Sequence, residues 1–349
     1  MKALFLGLGS IGQRHLRNFI SLVPDSQVLA VRISRSAPLL SNENQVVEGG
    51  SIAQAYSILE LPSLQEALEE KPELVFITNP TILHYDSVIS SLNFDTKIFI
   101  EKPVSHDLTS AKELADREFK LGTKKCMVGY QFRFHPALKI IKRILQEKRI
   151  GSIVNVSLVN GEYMPGWHPY EDYRQSYAAR KELGGGALLT QIHDFDYATW
   201  LFGLPTRLFA IGGKLSKLEI DVEDSVQLLL ESNPDFQESR FPISVTLDYL
   251  RSPPKRSISI VGDEGCIDCD LVQNSVSITY VGRKETDVYN FPDFNRNMLF
   301  VDQMKCFLSF ALNNSLPSVD IDSALASMRI AEGAKLSLEN KQVIDLENL

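Results

Sequence analysis

The sequence is poor in cysteine and has no long apolar run. Four cysteines among 349 residues are too few for a disulfide framework. Cys266 and Cys269 form one C-x-x-C, but a structural zinc site takes about four ligands, and no second Cys or His pair has matching spacing. We expect two ordinary strand cysteines and no bound metal. No apolar stretch reaches the roughly 18 residues that a membrane-spanning helix needs, so none is predicted.

An excess of positive charge is also missing. The 36 Lys and Arg residues are outnumbered by 44 Asp and Glu residues, which gives a net charge of −8. Nucleic acids and anionic membranes bind basic surfaces, so we expect neither as a partner. The apolar start, residues 1–6, runs into a glycine turn without a cleavage site. We interpret it as a buried strand rather than a signal peptide, and we expect a cytoplasmic protein.

Short apolar segments alternate with helical segments over the first 125 residues. This alternation predicts a parallel sheet that is covered by helices on both faces. One predicted helix, over 63–71, begins with a capping box, and another runs from 107 to 122. The predicted strands are 3–8, 28–33, 74–78, 97–101 and 125–130.

The pattern changes after about residue 125. Between 207 and 291, strand-like segments follow one another with turns and no helix, which predicts a mostly antiparallel open sheet. A length of 349 residues suits about two domains. We therefore predict an α/β protein with domains at 1–124 and 125–349. Further helices are predicted from 136 to about 149, from the glycine run 184–186 to Gly203, over 297–313 and over 322–340.

A glycine motif follows the first predicted strand and precedes a helix. It reads Gly7-Leu8-Gly9-Ser10-Ile11-Gly12, which is G-x-G-x-x-G in the context that the motif requires. The first glycine allows a tight turn, the second lets the backbone approach a pyrophosphate, and the third lets helix and strand pack closely. The alternative is a glycine-rich turn that packs and binds nothing. We favour a Rossmann dinucleotide-binding domain, with Gly7, Gly9, Ser10, Ile11 and Gly12 at the cofactor.

The end of the second strand bears on the choice between NAD and NADP. NAD enzymes usually place Asp or Glu there to bind the ribose 2′-hydroxyl. This chain has Arg32, Ser34 and Arg35 and no carboxylate over 31–36. Arginines suit a 2′-phosphate, so we prefer NADP as the cofactor, with NAD as the alternative.

A Glu-Lys-Pro motif, Glu101-Lys102-Pro103, ends a central strand at the edge where such sheets bind ligands. With the glycine motif it makes the chain resemble the Gfo/Idh/MocA oxidoreductases. Further matching segments are Thr78-Asn79-Pro80-Thr81 with His84, the run Gly129-Tyr130-Gln131-Phe132-Arg133-Phe134-His135-Pro136, and Gly184-Gly185-Gly186-Ala187-Leu188-Leu189 leading to His193 and Asp196.

The resemblance implies hydride transfer between a nicotinamide and a hydroxyl or keto carbon of a sugar, nucleotide-sugar or cyclitol. Oxidation of an alcohol also releases a proton, which a base must accept. By resemblance these proton-transfer roles fall on Lys102 and His193, and the Lys102–Pro103 peptide is expected to be cis. The family's usual Asp four residues before the His is Leu189 here. The relay then runs through Asp194 or a water, or His193 acts alone, and Asp196 has a structural role.

The same resemblance suggests which other side chains meet the ligands. Arg133 is expected to contact the substrate or the cofactor, and the alternative is that it forms a surface ion pair. Tyr173 and Arg180 are expected to contact the substrate, and the alternative is that they belong to a packed loop. His15 and His135 are interpreted as residues that start helices. The expected cofactor-binding residues also include Thr78, Asn79, Pro80, His84, Glu101 and Lys102, and the expected substrate-binding residues are Lys102, Gln131, Arg133, Tyr173, Arg180 and His193.

Two other functions fit the same fold. Relatives reduce biliverdin-, imine- or dihydrodiol-type substrates, although the Lys102 and His193 pair suits a polyol hydroxyl better. A non-catalytic dinucleotide-sensing regulator is also known in the family, but such a protein would be expected to lose the lysine, and Lys102 is present. The family usually forms homodimers or homotetramers, and its second domain binds substrate and often carries the oligomer contacts.

Overall fold

The computed structural model describes residues 1–32, 37–313 and 315–349, and these form two compact units. The first combines Met1–Tyr130 with Asn297–Leu325, and the second combines Gln131–Arg296 with Ala326–Leu349. This division differs from the predicted boundary between residues 124 and 125 in two places. The end of the first sheet lies beyond that boundary, and a segment near the C-terminus joins the first unit.

Strands and helices are numbered along the chain. The strands are Lys2–Leu6 (β1), Gln27–Val31 (β2), Leu59–Glu60 (β3), Leu74–Ile77 (β4), Lys97–Ile100 (β5), Cys126–Val128 (β6), Ile153–Gly161 (β7), Arg207–Gly213 (β8), Ser225–Glu231 (β9), Pro242–Asp248 (β10), Lys255–Gly262 (β11), Gly265–Asp270 (β12), Ser275–Tyr280 (β13), Thr286–Asn290 (β14) and Ile344–Asp345 (β15). The α-helices are Ser10–Leu22 (α1), Ile52–Ala55 (α2), Leu64–Glu69 (α3), His84–Leu92 (α4), Leu108–Lys120 (α5), Pro136–Gln146 (α6), Ala187–Thr190 (α7), His193–Phe202 (α8), Asn297–Asn313 (α9) and Ile321–Asn340 (α10).

The first unit contains a six-stranded parallel sheet in the order β3-β2-β1-β4-β5-β6. This is the doubly wound order of dinucleotide-binding domains, so the predicted Rossmann fold is confirmed. The strand order reverses beside β1. In such sheets ligands bind at the carboxyl ends of the strands near the reversal. The residues that directly follow β1, β2, β4 and β5 all lie at that edge.

Aromatic packing explains why α9 belongs to the first unit. Phe5 on β1 and Phe76 on β4 stack with ring centroids 4.4 Å apart. Phe307 on α9 meets Phe76 edge-on at 5.2 Å and Phe99 on β5 at 5.5 Å. Met304 belongs to the same buried cluster. One apolar face of α9 therefore completes the core of this sheet, which local sequence pattern did not reveal.

The second unit contains a nine-stranded sheet in the order β14-β13-β12-β11-β7-β10-β9-β8-β15. All neighbouring strands are antiparallel except β7 and β10, which run parallel. The predicted, mostly antiparallel sheet is therefore confirmed. Sequence analysis missed β7, although its apolar and polar residues alternate in part. This strand lies in the middle of the sheet, between β11 and β10.

The structure confirms the start of one predicted helix and divides another into two. Ser63 caps α3 by accepting the Glu66 N–H at 3.2 Å, which confirms the N-cap half of the predicted capping box, and its hydroxyl also donates to the Glu66 carboxylate at 2.9 Å. The single helix predicted up to Gly203 is wrong, because α7 and α8 are separate. The break falls at Gln191, whose side-chain amide donates to the backbone oxygen of Asp248 at 3.0 Å.

Candidate active site

The glycine turn after β1 has two crowded positions and one open position. A Cβ atom built on Gly7 would lie 2.8 Å from the Asn79 Cα, and Gly7 has a φ of +90°. One built on Gly12 would lie 2.3 Å from the Gly7 carbonyl oxygen and 2.8 Å from the Thr78 hydroxyl. At Gly9 nothing lies within 4 Å of the added atom. Gly7 and Gly12 are therefore required by packing, and Gly9 borders open space.

The start of α1 suits an anionic group in that space. Gly9 caps the helix without a side-chain hydrogen bond, and the first turn carries no acidic residue. The first backbone N–H groups of a helix lack partners within the helix, and they bind phosphates well. Ser10 and Ile11 stand in this first turn. These residues fit the pyrophosphate of a nicotinamide dinucleotide.

The segment after β4 supports the glycine turn. Thr78 is buried, and its hydroxyl donates to the Gly7 carbonyl oxygen at 2.7 Å. The Asn79 side chain donates to the Ser87 hydroxyl at 3.1 Å. Pro80 follows directly and precedes a short 3₁₀ turn. Within the structure these residues form a wall of the turn, and their predicted contact with the cofactor stays a prediction.

His84 connects the segments that follow β4 and β5. Its Nε2 lies 2.9 Å from the Asn79 carbonyl oxygen, and its Nδ1 lies 2.8 Å from the Pro103 carbonyl oxygen. Burial lowers the pKa of His84, although both carbonyl contacts act in the opposite direction. Its predicted place beside the nicotinamide stays a prediction, and its visible role is to hold the two segments together.

Glu101 pairs with a histidine that sequence analysis interpreted differently. Its Oε1 lies 2.6 Å from Nε2 of His15, and its other carboxylate oxygen accepts the Lys102 backbone N–H at 3.2 Å. His15 is buried within α1 and packs against Phe99, with ring centroids 4.8 Å apart. The expectation that His15 only starts a helix is therefore wrong. The two residues are 86 positions apart, so no local signal could have paired them.

Lys102 directly follows Glu101 and is half-buried. The Lys102–Pro103 peptide is cis, which confirms that expectation.

Among the other predicted cofactor residues, Ser34 and Arg35 lie outside the described residues. Arg32 follows β2, and its Nη1 donates to the Glu60 carboxylate at 2.9 Å.

In the second unit, His193 begins α8 and is 5% exposed. Its ring lies 5.1 Å from the ring of Phe132, centroid to centroid. The guanidinium carbon of Arg256, on β11, lies 3.8 Å from the centroid of that same Phe132 ring. The Phe132 ring therefore contacts both the His193 imidazole and the Arg256 guanidinium. Sequence analysis named neither Arg256 nor the stacking of Phe132.

The Asp194 carboxylate is fully buried and held by three partners. It accepts the Asn160 amide at 2.8 Å, and it also contacts Arg256 and the Tyr197 hydroxyl. Burial raises the pKa of Tyr197 well above its usual value, and the Asp194 charge raises it further. These contacts favour a role for Asp194 in anchoring α8. Its predicted part in a proton relay stays a prediction.

Arg133 forms a bidentate ion pair with Asp196. Its Nε lies 3.1 Å from both carboxylate oxygens, and its Nη2 donates to Oδ1 at 2.7 Å. Burial raises the pKa of Asp196, which is fully buried, while Arg133 lowers it. The predicted structural role of Asp196 agrees with this contact. Gln131 precedes Arg133 in the same 3₁₀ turn and is also buried.

Tyr173 and Arg180 lie on the segment before α7 and face acidic residues. The Tyr173 hydroxyl accepts the Glu219 N–H at 3.3 Å, and Arg180 lies 3.9 Å from the Asp221 carboxylate. Both Arg180 and Asp221 are more than a third exposed.

His135 accepts the Ala137 N–H and caps α6, which confirms the prediction that it starts this helix.

In the described part of the chain, no three His, Cys, Asp or Glu side chains could together hold a metal ion. Cys266 and Cys269 both lie on β12, as expected, but their odd spacing places them on opposite faces of the strand. No helix within the described residues is long and apolar enough to cross a bilayer.

Two protein-family models match successive parts of the chain. Residues 1–130 match the model described as "Oxidoreductase family, NAD-binding Rossmann fold". Residues 138–268 match the model described as "GFO/IDH/MocA C-terminal domain".

Individual relatives are similar over nearly the whole length. The chain is 24% identical to the scyllo-inositol 2-dehydrogenase (NAD(+)) of Bacillus subtilis, over 99% of this chain and 96% of that one. A structure of levoglucosan dehydrogenase in complex with NADH and levoglucosan has a TM-score of 0.82 at 16% identity, covering 99% of each chain. The WlbA dehydrogenase of Bordetella pertussis, in complex with NADH and UDP-GlcNAcA, has a TM-score of 0.78 at 17% identity, covering 99% of this chain and 98% of that one.

Proposed function

Because the chain belongs to the Gfo/Idh/MocA oxidoreductase family, we propose that it transfers a hydride between a nicotinamide and a sugar, nucleotide-sugar or cyclitol. The reacting carbon carries a hydroxyl group in one direction and a keto group in the other. The observation that carries this proposal is the open position at Gly9, at the start of α1, where no side chain hydrogen-bonds to the first turn of the helix. The similar inositol and levoglucosan dehydrogenases support the substrate class by their names.

The backbone N–H groups at Gly9, Ser10 and Ile11 would hold the pyrophosphate of the cofactor. The bound dinucleotide supplies the carbon that accepts or returns the hydride. Gly7 and Gly12 keep the turn closed, and Thr78 braces it through the Gly7 carbonyl. The predicted preference for NADP stays a prediction, since the structure describes only one of its two arginines and pairs that one with Glu60.

We propose Lys102 and His193 for proton transfer. Loss of a hydride from an alcohol carbon leaves a hydroxyl proton that must be removed, and an amine or an imidazole can accept it. In the reverse direction the same groups return the proton to the carbonyl oxygen. His193 is only 5% exposed, so a ligand bound at its ring would meet little competing water.

We also propose four substrate contacts, which are not equally well supported. They are Gln131, Arg133, Tyr173 and Arg180. Tyr173 and Arg180 lie at the surface of their segment and have donors or acceptors that a polyol could use. The Arg133 guanidinium is committed to Asp196, so we assign it first to holding α8 in place. A cytoplasmic location and a homodimer or homotetramer stay predictions.

The experiment measures turnover with a panel of substrates in the presence of NAD and of NADP. We expect oxidation of at least one cyclitol, anhydrosugar or nucleotide-sugar, seen as an increase in reduced nicotinamide fluorescence. The Lys102→Ala variant serves as the control for background reduction. Binding of cofactor without turnover across the whole panel would contradict the proposed reaction and favour a sensing role.

A further inference from the structure

The carboxylate that the second strand lacks is supplied by the third strand. β2 and β3 run parallel with Ala30 opposite Glu60. Arg32 follows Ala30 by two positions, so their side chains point to the same face of the sheet. This register brings the guanidinium of Arg32 to the Glu60 carboxylate, with Nη1 and Oε1 2.9 Å apart.

The ion pair stands beside the glycine turn. The Gly7 N–H donates to the carbonyl oxygen of Val31 at 3.0 Å, and Val31 is the residue just before Arg32. The end of the second strand is where a doubly wound domain meets the ribose of the adenosine half of a dinucleotide. Arg32 and Glu60 are therefore placed where the ribose 2′ substituent is recognised.

Two nitrogens of the Arg32 guanidinium donate to groups within the protein. Its Nη1 is bound to Glu60, and its Nη2 donates to the Ala37 carbonyl oxygen at 3.4 Å. The Arg32 side chain is 8% exposed, whereas that of Glu60 is 25% exposed. The pair therefore presents its carboxylate to solvent more than its guanidinium. A carboxylate accepts a hydrogen bond from a ribose hydroxyl and repels a phosphate group.

We propose that Glu60 is the residue that determines cofactor specificity and that it favours NAD over NADP. It takes the part that an acidic residue at the end of β2 usually plays, and it keeps Arg32 from acting as a phosphate ligand. The inference rests on the proposed binding of a nicotinamide dinucleotide. It reverses the preference that Arg32 suggested in the sequence alone, because the partner of Arg32 is 28 residues away.

The test compares NADH and NADPH binding by the full-length wild-type protein and its Glu60→Gln variant, using nicotinamide fluorescence. Wild type is expected to bind NADH more tightly. The uncharged amide removes the repulsion of the 2′-phosphate and releases Arg32, so the ratio of the NADPH and NADH dissociation constants should fall at least about tenfold, or about 1.4 kcal/mol. The fall should come from tighter NADPH binding.

A matched control is Glu113→Gln, which also neutralises a carboxylate paired with an arginine, Arg117, at 3.1 Å on α5. It should leave the ratio unchanged, and a thermal melt of each variant checks folding. An unchanged ratio in Glu60→Gln, or weaker NADPH binding, would overturn the inference while leaving dinucleotide binding intact. If wild type binds neither cofactor, the proposed function and this inference both fail.

Discussion

Replacing Gly9 and Gly12 by alanine should separate cofactor binding from folding. Gly9 has extended backbone angles, φ −69° and ψ −169°, that any residue adopts, and an added Cβ would touch nothing within 4 Å. Alanine reduces the entropy of the unfolded chain, worth about 0.4–1 kcal/mol. It is also a poorer N-cap than glycine, which costs roughly 0.5–1 kcal/mol. The free energy of unfolding of Gly9→Ala should therefore stay within about 1 kcal/mol of wild type.

The same methyl group would occupy the space that we assign to the pyrophosphate. The dissociation constant for NADH should rise at least about tenfold, which corresponds to about 1.4 kcal/mol. Gly12→Ala should behave in the opposite way. Its Cβ would lie 2.3 Å from the Gly7 carbonyl oxygen, a backbone atom that cannot move aside, and overpacking of this kind costs about 1–3 kcal/mol or more.

Urea unfolding of both variants and fluorescence titration with NADH provide the two measurements. Unchanged NADH affinity in Gly9→Ala would refute the assignment of the open space beside Gly9 to the pyrophosphate. A larger loss of stability in Gly9→Ala than in Gly12→Ala would show that crowding at the two positions does not decide the outcome.

Three further predictions concern the two residues proposed for proton transfer, an ion pair and a buried histidine. Lys102→Ala and His193→Ala should each lower kcat by about 10²–10⁴, and His193→Ala should leave NADH binding unchanged in a titration. Arg133→Met leaves the fully buried Asp196 carboxylate without its ion-pair partner and should lower the free energy of unfolding in urea by about 3 kcal/mol. Burial lowers the pKa of His135 to about 4, below its value of about 6.5 in the unfolded chain. As the pH falls from 7 to 5, the unfolded state therefore takes up the proton before the folded state does, and the free energy of unfolding of wild type should fall by about 2 kcal/mol through this histidine. The His135→Asn variant keeps a capping oxygen and should not show this loss. An equal loss in both proteins would contradict the assignment to His135.

Most of the first sheet could be predicted from sequence because its signals are local. Five of its six strands are short apolar runs and were predicted, whereas β3 has only two residues, one of them a glutamate, and was missed. Ser63 and His135 cap helices through contacts within three residues. The glycine turn is likewise contained within six positions, 7–12. Such features need no knowledge of the rest of the chain, so the pattern of residues was sufficient.

The parts that sequence analysis missed depend on distant partners. Asp194 and Arg256 are 62 positions apart, and Arg32 meets Glu60 only because β2 and β3 are neighbours in the sheet. Their chemistry was visible in the sequence, but their pairing was not. β7 was missed for a different reason, since its run of residues is only partly alternating and its identity is set by pairing with β10 and β11.

The route of the chain through α9 has a consequence for biosynthesis. A ribosome makes residues 1–130 long before it makes Asn297–Leu325, yet both segments belong to one compact unit. Until the later segment emerges, Phe76 and Phe99 lack the covering ring of Phe307. A nascent chain with such an apolar surface is prone to aggregation and to chaperone binding. The nucleotide-binding unit thus begins to form first, but its core is complete only after most of the second unit has been synthesised.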